Sequence, residues 1–302
     1  MEIKKFAAID IGSNSVRLLI SNVLLNSEAP FFKRSSLIRV PVRLGVSAFT
    51  NHEIPEVTIL HLEETMLGFK HLMRANDVIH YKGCATSAMR EAGNGKEIVK
   101  RIKNKTGISI DIISGNMEAD LIFNSQNALA EKMESNCLFV DVGGGSTEIT
   151  LFSQGIPIDK KSFSIGTLRI LQNQIDKNDW KKMKEWVKNK AGDLQDFKIV
   201  GSGGNINSFS KLAGMKPGKA LSYNKLNEMI EDLKAHTFEE RMKVYDLNPD
   251  RADVIVPAGE IFIRIMKWVD ADEIFIPKIG LSDGIAREAY KEYLSGKKSN
   301  LR

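Results

Sequence analysis

The chain has 302 residues, 42% of them hydrophobic and 27% charged, with a net charge of +5 and a sequence pI near 9.0. That length suits two domains, and the composition is that of a globular chain, not a disordered, collagenous or disulfide-stapled one. No apolar run reaches the roughly 18 residues that span a bilayer. Cys84 and Cys137 stand too far apart for a disulfide framework or a zinc pattern, and the five histidines form no ligand motif.

Lys4-Lys5 leads straight into "FAAIDIG", too short for a secretory signal and interrupted by an aspartate, so the reading is a soluble cytoplasmic protein with no membrane partner. The positive balance favours an anionic partner. Lysines gather in "KRIKNK" (100–105), "KKMKEWVKNK" (181–190) and "KPGK" (216–219), read as solvated helix faces and loops. Without a recognition motif they point to no specific nucleic acid.

The chain opens with strands, "KFAAID" and then "SVRLLISNVLL", joined by a glycine turn. Over 57–75, Ile59, Leu62, Met66, Phe69 and Met73 recur at steps of three and four, one face of a helix. "IHYKGCATSAMREAGNG" reads as a strand leading into a polar loop. "GKEIVKRIKNKTG" reads as a helix with a glycine stop, "ISIDIISG" as a strand, and 116–133 as a helix. The second half follows the same alternation, with "CLFVDVGGGSTEITLF" as strand, glycine turn, strand. "SFSIGTLRILQNQI" and "FKIVGSGGNINSFSKLAG" each run strand, glycine, helix. Thr237 and Glu240 fit a capping box. Residues 254–269 carry a helical stripe with a kink expected at Pro257. "EIFIPKIGLSDGIAREAYKEYL" gives a strand, a glycine turn and a last helix before a frayed tail, "SGKKSN". Strands alternating with helices argue for an α/β fold.

Within this order one device occurs twice. "AAIDIGSNSVRLLI" and "LFVDVGGGSTEITLF" are each a hydrophobic strand ending in Asp-x-Gly, a turn of small residues, and a second apolar strand. Asp10 and Asp141 stand 131 residues apart, which implies two similar domains. Small residues let backbone N–H groups converge on an anion. A carboxylate beside such a turn repels phosphate unless a cation lies between, so the pair of turns points to phosphate together with a divalent metal, Mg²⁺ first. The first turn is Gly12, Ser13, Asn14 and Ser15; the second is Gly143, Gly144, Gly145, Ser146 and Thr147. Asp141 and Glu148 are the candidates to hold the metal or orient water, with Asp10 a weaker one. Arg17 either meets phosphate or faces solvent.

The ordered segments "AAIDIGSNSVRLLI", "ATSAMREAGNG", "IISGNMEADLIF", "LFVDVGGGSTEI", "SFSIGTLRI" and "KIGLSDGIA" resemble the motifs of the exopolyphosphatase/guanosine pentaphosphate phosphohydrolase (Ppx/GppA) family, within the actin–hexokinase–Hsp70 superfamily. The resemblance implies two duplicated ribonuclease-H-like domains, here 1–122 and 123–302. Each is a mixed five-stranded sheet flanked by helices, with the active site in the cleft between them. The last helix is left free to pack back on the first domain. It also implies roles: Glu118 in "SGNMEAD" as general base, and Arg90 in "TSAMREA" as a substrate arginine. Met117 stands where many members have a second acidic residue. The implied activity is release of orthophosphate from the end of inorganic polyphosphate. Two alternatives stay open: hydrolysis of guanosine pentaphosphate by the same parts, and a non-catalytic phosphate or nucleotide sensor. A homodimer and the role of Gly201–Asn205 are likewise open.

Overall fold

The computed structural model describes residues 2–25, 30–130, 135–192, 194, 197–216, 219–277 and 279–296, with 126–130 described by backbone alone. Four readings fall partly outside them: the tail from 297 on, the end of the helix read over 116–133, the middle of "KPGK", and the first residue of "KIGLSDGIA".

In chain order the first half forms β1 (Ile3–Ile11), β2 (Val16–Leu24), β3 (Phe31–Val40), α1 (Gly45–Asn51), α2 (Glu56–Ala75), β4 (His80–Ala85), α3 (Ser87–Glu91), α4 (Gly95–Thr106), β5 (Asp111–Ile112) and α5 (Gly115–Ala130). Then follow β6 (Cys137–Val142), β7 (Thr147–Ser153), β8 (Ile156–Phe163), α6 (Thr167–Leu171), α7 (Lys177–Ala191), β9 (Lys198–Ser202) and α8 (Gly204–Leu212). The remainder is β10 (Ala220–Ser222), α9 (Tyr223–Ala235), α10 (Phe238–Val244), α11 (Pro249–Ala252), α12 (Ile255–Trp268), β11 (Glu273–Phe275) and α13 (Leu281–Leu294).

Two compact units result: Met1–Ser125 with Leu281–Arg302, and Gln126–Gly280. The sequence-based division at 122/123 lies in the same helix, α5, as the division between the units. The last helix differs more, because α13 belongs to the first unit. Its Leu281, Ile285 and Ala286 join a buried cluster with Ala8, Leu19, Cys84, Ile113, Leu121 and Ile122. Ala289 packs with Phe6 and Val23. A Cβ on Gly284 would lie 1.9 Å from the Leu121 carbonyl oxygen, so α13 and α5 meet backbone to backbone there.

In the first unit the sheet order is β3-β2-β1-β4-β5. β1, β2 and β3 form an antiparallel meander, and β4 and β5 continue it in parallel. β1 is central, and its last six residues are all buried. In the second unit the order is β10-β11-β9-β6-β7-β8. β6, β7, β8, β9 and β11 repeat the directions of β1, β2, β3, β4 and β5, and β10 adds an antiparallel edge. The core of this unit gathers Leu138, Val140, Ile149 and Leu151 from β6 and β7 with Ile261, Phe262 and Ile265 from α12.

The helix read over 57–75 is α2, and all five of its stripe residues are buried. Thr237 and Glu240 close their capping box on α10. Pro257 makes no kink inside a helix, because α12 begins at Ile255 and the proline sits in its first turn, where an N–H has no partner to lose. "ISIDIISG" pairs only at Asp111–Ile112. The polar loop after β4 winds into the one-turn α3. β3 escapes the sequence reading because "FFKRSSLIRV" is a largely exposed edge strand without clean alternation.

Candidate active site

In the first unit the β1–β2 turn is closed by the Gly12 N–H donating to the Ser15 carbonyl (3.1 Å). The segment after β3 holds this turn from one side. The Gly45 N–H donates to the Ser13 carbonyl (2.8 Å) and the Arg43 N–H to the Asn14 carbonyl (3.1 Å), with Arg43 at φ 55°. In a planar trans peptide the C=O and the following N–H point opposite ways. Tying down two carbonyls therefore turns the Asn14 and Ser15 N–H groups to the other side, an arrangement suited to an anion. The Ser13 hydroxyl is engaged with the Ser87 hydroxyl (2.9 Å) and accepts from the Ala88 N–H (3.2 Å), which fixes the turn on α3.

The second unit builds the same device at the β6–β7 turn. The Gly143 N–H donates to the Ser146 carbonyl (2.9 Å). Here α6 supplies the clamp: Thr167 N–H donates to the Gly143 carbonyl (3.1 Å), Leu168 N–H to the Gly144 carbonyl (2.9 Å), and Arg169 Nε to the Gly145 carbonyl (2.7 Å). Three consecutive carbonyls point to α6, so the N–H groups of Gly144, Gly145 and Ser146 point away from it. The approach is close enough that a Cβ on Gly166 would lie 2.4 Å from the Gly144 carbonyl oxygen. The Thr147 hydroxyl, expected to reach phosphate, instead donates to the Ile165 carbonyl (2.6 Å) in the core. Ser15 and Ser146 hold matching places in the two turns, and their hydroxyls make no side-chain hydrogen bond among the described residues.

The carboxylates divide sharply. Asp10 stands opposite Arg17 across β1 and β2. Its Oδ2 accepts from Arg17 Nη1 (3.2 Å) and from the Ser282 hydroxyl of α13 (3.1 Å). Burial pushes its pKa up, while Arg17 and Ser282 pull it down. Asp10, the weaker of the metal candidates, thus has an arginine of the chain as its counter-ion. Asp141 occupies the equivalent register position and faces Glu148 across β6 and β7. Ser202 donates to Asp141 and Ser162 to Glu148 (2.7 Å). Like charges directly opposite in a ladder destabilise it. Two oxygen donors on one face suit Mg²⁺, which takes one or two carboxylates and completes its shell with water and phosphate. Among the described residues no three His, Cys, Asp or Glu side chains gather as a metal site.

The "GSGGN" segment acquires a role here. Gly203 lies at φ 94°, and a Cβ on it would be 2.9 Å from Asp141 Oδ1. A Cβ on Gly204 would be 2.1 Å from the Arg251 guanidinium, whose Nη1 donates to Asn205 Oδ1 (2.7 Å). The segment seats Asp141 and is itself held by α11.

Arg90 and Glu118 come together in the first unit. Glu118 is in the first turn of α5, its N–H donating to the Ser114 carbonyl (2.9 Å), and its carboxylate is buried. Arg90 Nη1 lies 3.7 Å from Glu118 Oε2 and donates to the Ile113 carbonyl (2.6 Å). A cation built to grip phosphate oxygens thus stands beside a carboxylate able to take a proton. Sequence reasoning overlooked Arg169, Ser162 and Ser282, and left Ser202 within the open Gly201–Asn205 segment. Arg169 carried a signal: a charged residue in the otherwise apolar "IGTLRIL".

Residues 32–292 match the model of the Ppx/GppA phosphatase family. The chain belongs to that family. A bifunctional 3-dehydroquinate synthase/phosphatase of Fusobacterium nucleatum is 29% identical over 298 residues, which cover 89% of this chain and 44% of that protein. The chain therefore spans less than half the length of this relative. Exopolyphosphatase 2 of Mycobacterium tuberculosis is 25% identical over 95% of this chain and 98% of its own. The solved Ppx/GppA family member of Aquifex aeolicus aligns with a TM-score of 0.74 at 25% identity, covering 96% of this chain and 99% of that one. The duplicated sheet-and-helix architecture is that of the Ppx/GppA fold, and family membership supports a hydrolase function. No described helix is long and apolar enough to cross a membrane.

Proposed function

We propose that the protein is an Mg²⁺-dependent exopolyphosphatase that releases orthophosphate from the end of inorganic polyphosphate. The observation that carries this reading is the Arg90–Glu118 pair at 3.7 Å, a phosphate-gripping cation beside a buried carboxylate. Hydrolysis of a phosphoanhydride requires charge stabilisation on the transferring phosphoryl group and an oriented water. Arg90 holds the terminal phosphoryl oxygens. Glu118 accepts a proton from the attacking water as its oxygen bonds to phosphorus, and the bridging P–O bond breaks towards the shortened chain. The N–H groups of the two turns and the hydroxyls of Ser15 and Ser146 bind phosphate oxygens. Asp141 and Glu148 would hold Mg²⁺, which when bound neutralises phosphate charge.

The test is phosphate release from long-chain polyphosphate, guanosine pentaphosphate and ATP with Mg²⁺. Polyphosphate is expected to be the preferred substrate. Glu118→Gln is expected to lower kcat about 10²–10⁴-fold. No release from any of the three substrates would sink the hydrolase reading. A preference for guanosine pentaphosphate would replace the proposed substrate with the second family substrate.

A further inference from the structure

A groove of about 520 Å³ in the second unit is lined from α7, α9 and α12 and shares no lining residue with either turn. Lys184 and Lys188 come from α7, one helical turn apart; Arg264 and Lys267 come from α12 at a spacing of three. Each helix thus presents two neighbouring cations along the groove. The lining also contains Glu231 and Glu260, but Lys234 engages both at 2.9 Å. Among the described residues Lys184, Lys188 and Lys267 form no ion pair, and all three are exposed. Arg264 is held with its guanidinium 4.7 Å from the Trp180 ring centroid, and Trp180 packs edge-on against Trp268.

We infer that this groove is a second binding site for a linear polyanion, and that its occupant is a distant stretch of the inorganic polyphosphate chain. The identity of the occupant rests on the exopolyphosphatase reading. Two pairs of cations, one from α7 and one from α12, match a chain that carries charge along its whole length. Tyr223 and Trp268 also line the groove, so single-stranded nucleic acid, which stacks bases on aromatic faces, is the competitor that the test separates from polyphosphate. Ammonium groups act as point charges, which phosphate satisfies without directional readout. Anchoring the chain here raises the effective concentration of its end for hydrolysis. A short substrate gains nothing from the groove, so the groove confers a preference for long chains.

The test compares the full chain carrying Lys184→Gln, Lys188→Gln and Lys267→Gln with one carrying Lys96→Gln, Lys100→Gln and Lys103→Gln on α4. Both sets are exposed and remove the same charge. Binding of end-labelled long-chain polyphosphate is measured in a Glu118→Gln background, where turnover does not interfere. The groove variant is expected to bind at least tenfold more weakly and the α4 variant as the parent does. With Glu118 intact, the groove variant is expected to raise KM for long chains at least fivefold while tripolyphosphate hydrolysis stays unchanged. Equal binding by all three proteins, equal losses in both variants, or equal effects on long and short substrates would overturn the proposal. Stronger competition by single-stranded nucleic acid than by polyphosphate would overturn the occupant. Absence of hydrolysis in the parent with binding lost only in the groove variant would remove the exopolyphosphatase reading and leave the polyanion site standing.

Discussion

Asp10 and Asp141 occupy the same register position in two copies of one hairpin, yet the residues facing them carry opposite charge. Arg17 faces Asp10, and Glu148 faces Asp141. In the first unit Arg17 pairs with the carboxylate across the ladder and α13 adds the Ser282 hydroxyl. In the second unit two carboxylates face each other, and each accepts from a serine hydroxyl. The duplicated device has thus diverged into a copy whose aspartate faces an arginine and a copy whose aspartate faces a glutamate, the one we propose for the metal. The single residue across the strand decides which is which, because directly opposed side chains are the closest neighbours a strand pair offers.

The largest expected effect separates these two aspartates. Asp141→Asn is expected to cost several kcal/mol of transition-state stabilisation, seen as a fall in activity of about 10³-fold or more and a shifted Mg²⁺ requirement, with the melting temperature nearly unchanged. Asp10→Asn is expected to do the reverse: to lose about 1–3 kcal/mol of stability in urea unfolding while the Mg²⁺ titration of activity stays in place. If Asp10→Asn moved the Mg²⁺ titration as far as Asp141→Asn, the division of labour would be wrong.

The clamps of the two turns give the next contrast. Gly166→Ala drives a methyl into the Gly144 carbonyl and is expected to cost about 1–3 kcal/mol, lowering activity through the displaced turn. Gly68→Ala in α2 meets nothing within 4 Å and is expected to stabilise by about 0.5–1 kcal/mol. Arg169→Ala removes the donor to Gly145 and is expected to cost about 1–3 kcal/mol; Arg169→Lys should recover part of the activity by returning a donor. Equal activity in Arg169→Ala and the parent would show that backbone donors alone hold the second turn.

The smallest expected effect concerns the residue paired with Asp10 on its other side, Cys84. Burial pushes its thiol up to about 12, so at pH 8 only ~0.01% is thiolate. Alkylation of the native protein at pH 8 is expected to leave Cys84 unmodified, and unfolding in urea to expose it. Rapid native modification would mean that this side of β1 opens to solvent.

Much of the candidate site was legible before folding. "DIGSNS" and "DVGGGS" announce themselves by small residues where strands need bulk, and Glu118 and Arg90 lie inside motifs that resemble the family's. The clamp residues were not legible. Arg169 works on a carbonyl 24 positions earlier, and Ser202 on a carboxylate 61 positions earlier. Ser282 reaches Asp10 across 272 positions. No local pattern records such pairs, because sequence spacing reports only neighbours on the same helix face or strand.

By itself the sequence determined the repeat, the turn chemistry, the stripe of α2 and the capping of α10, all governed by contacts within a few residues. Tertiary structure alone decided that α13 completes the first unit, that "GSGGN" seats Asp141, and that Asp10 pairs with Arg17 and Ser282. The reason is physical: a side chain's charge is written in the sequence, but its partner is set by strand register and by which distant segment packs against it.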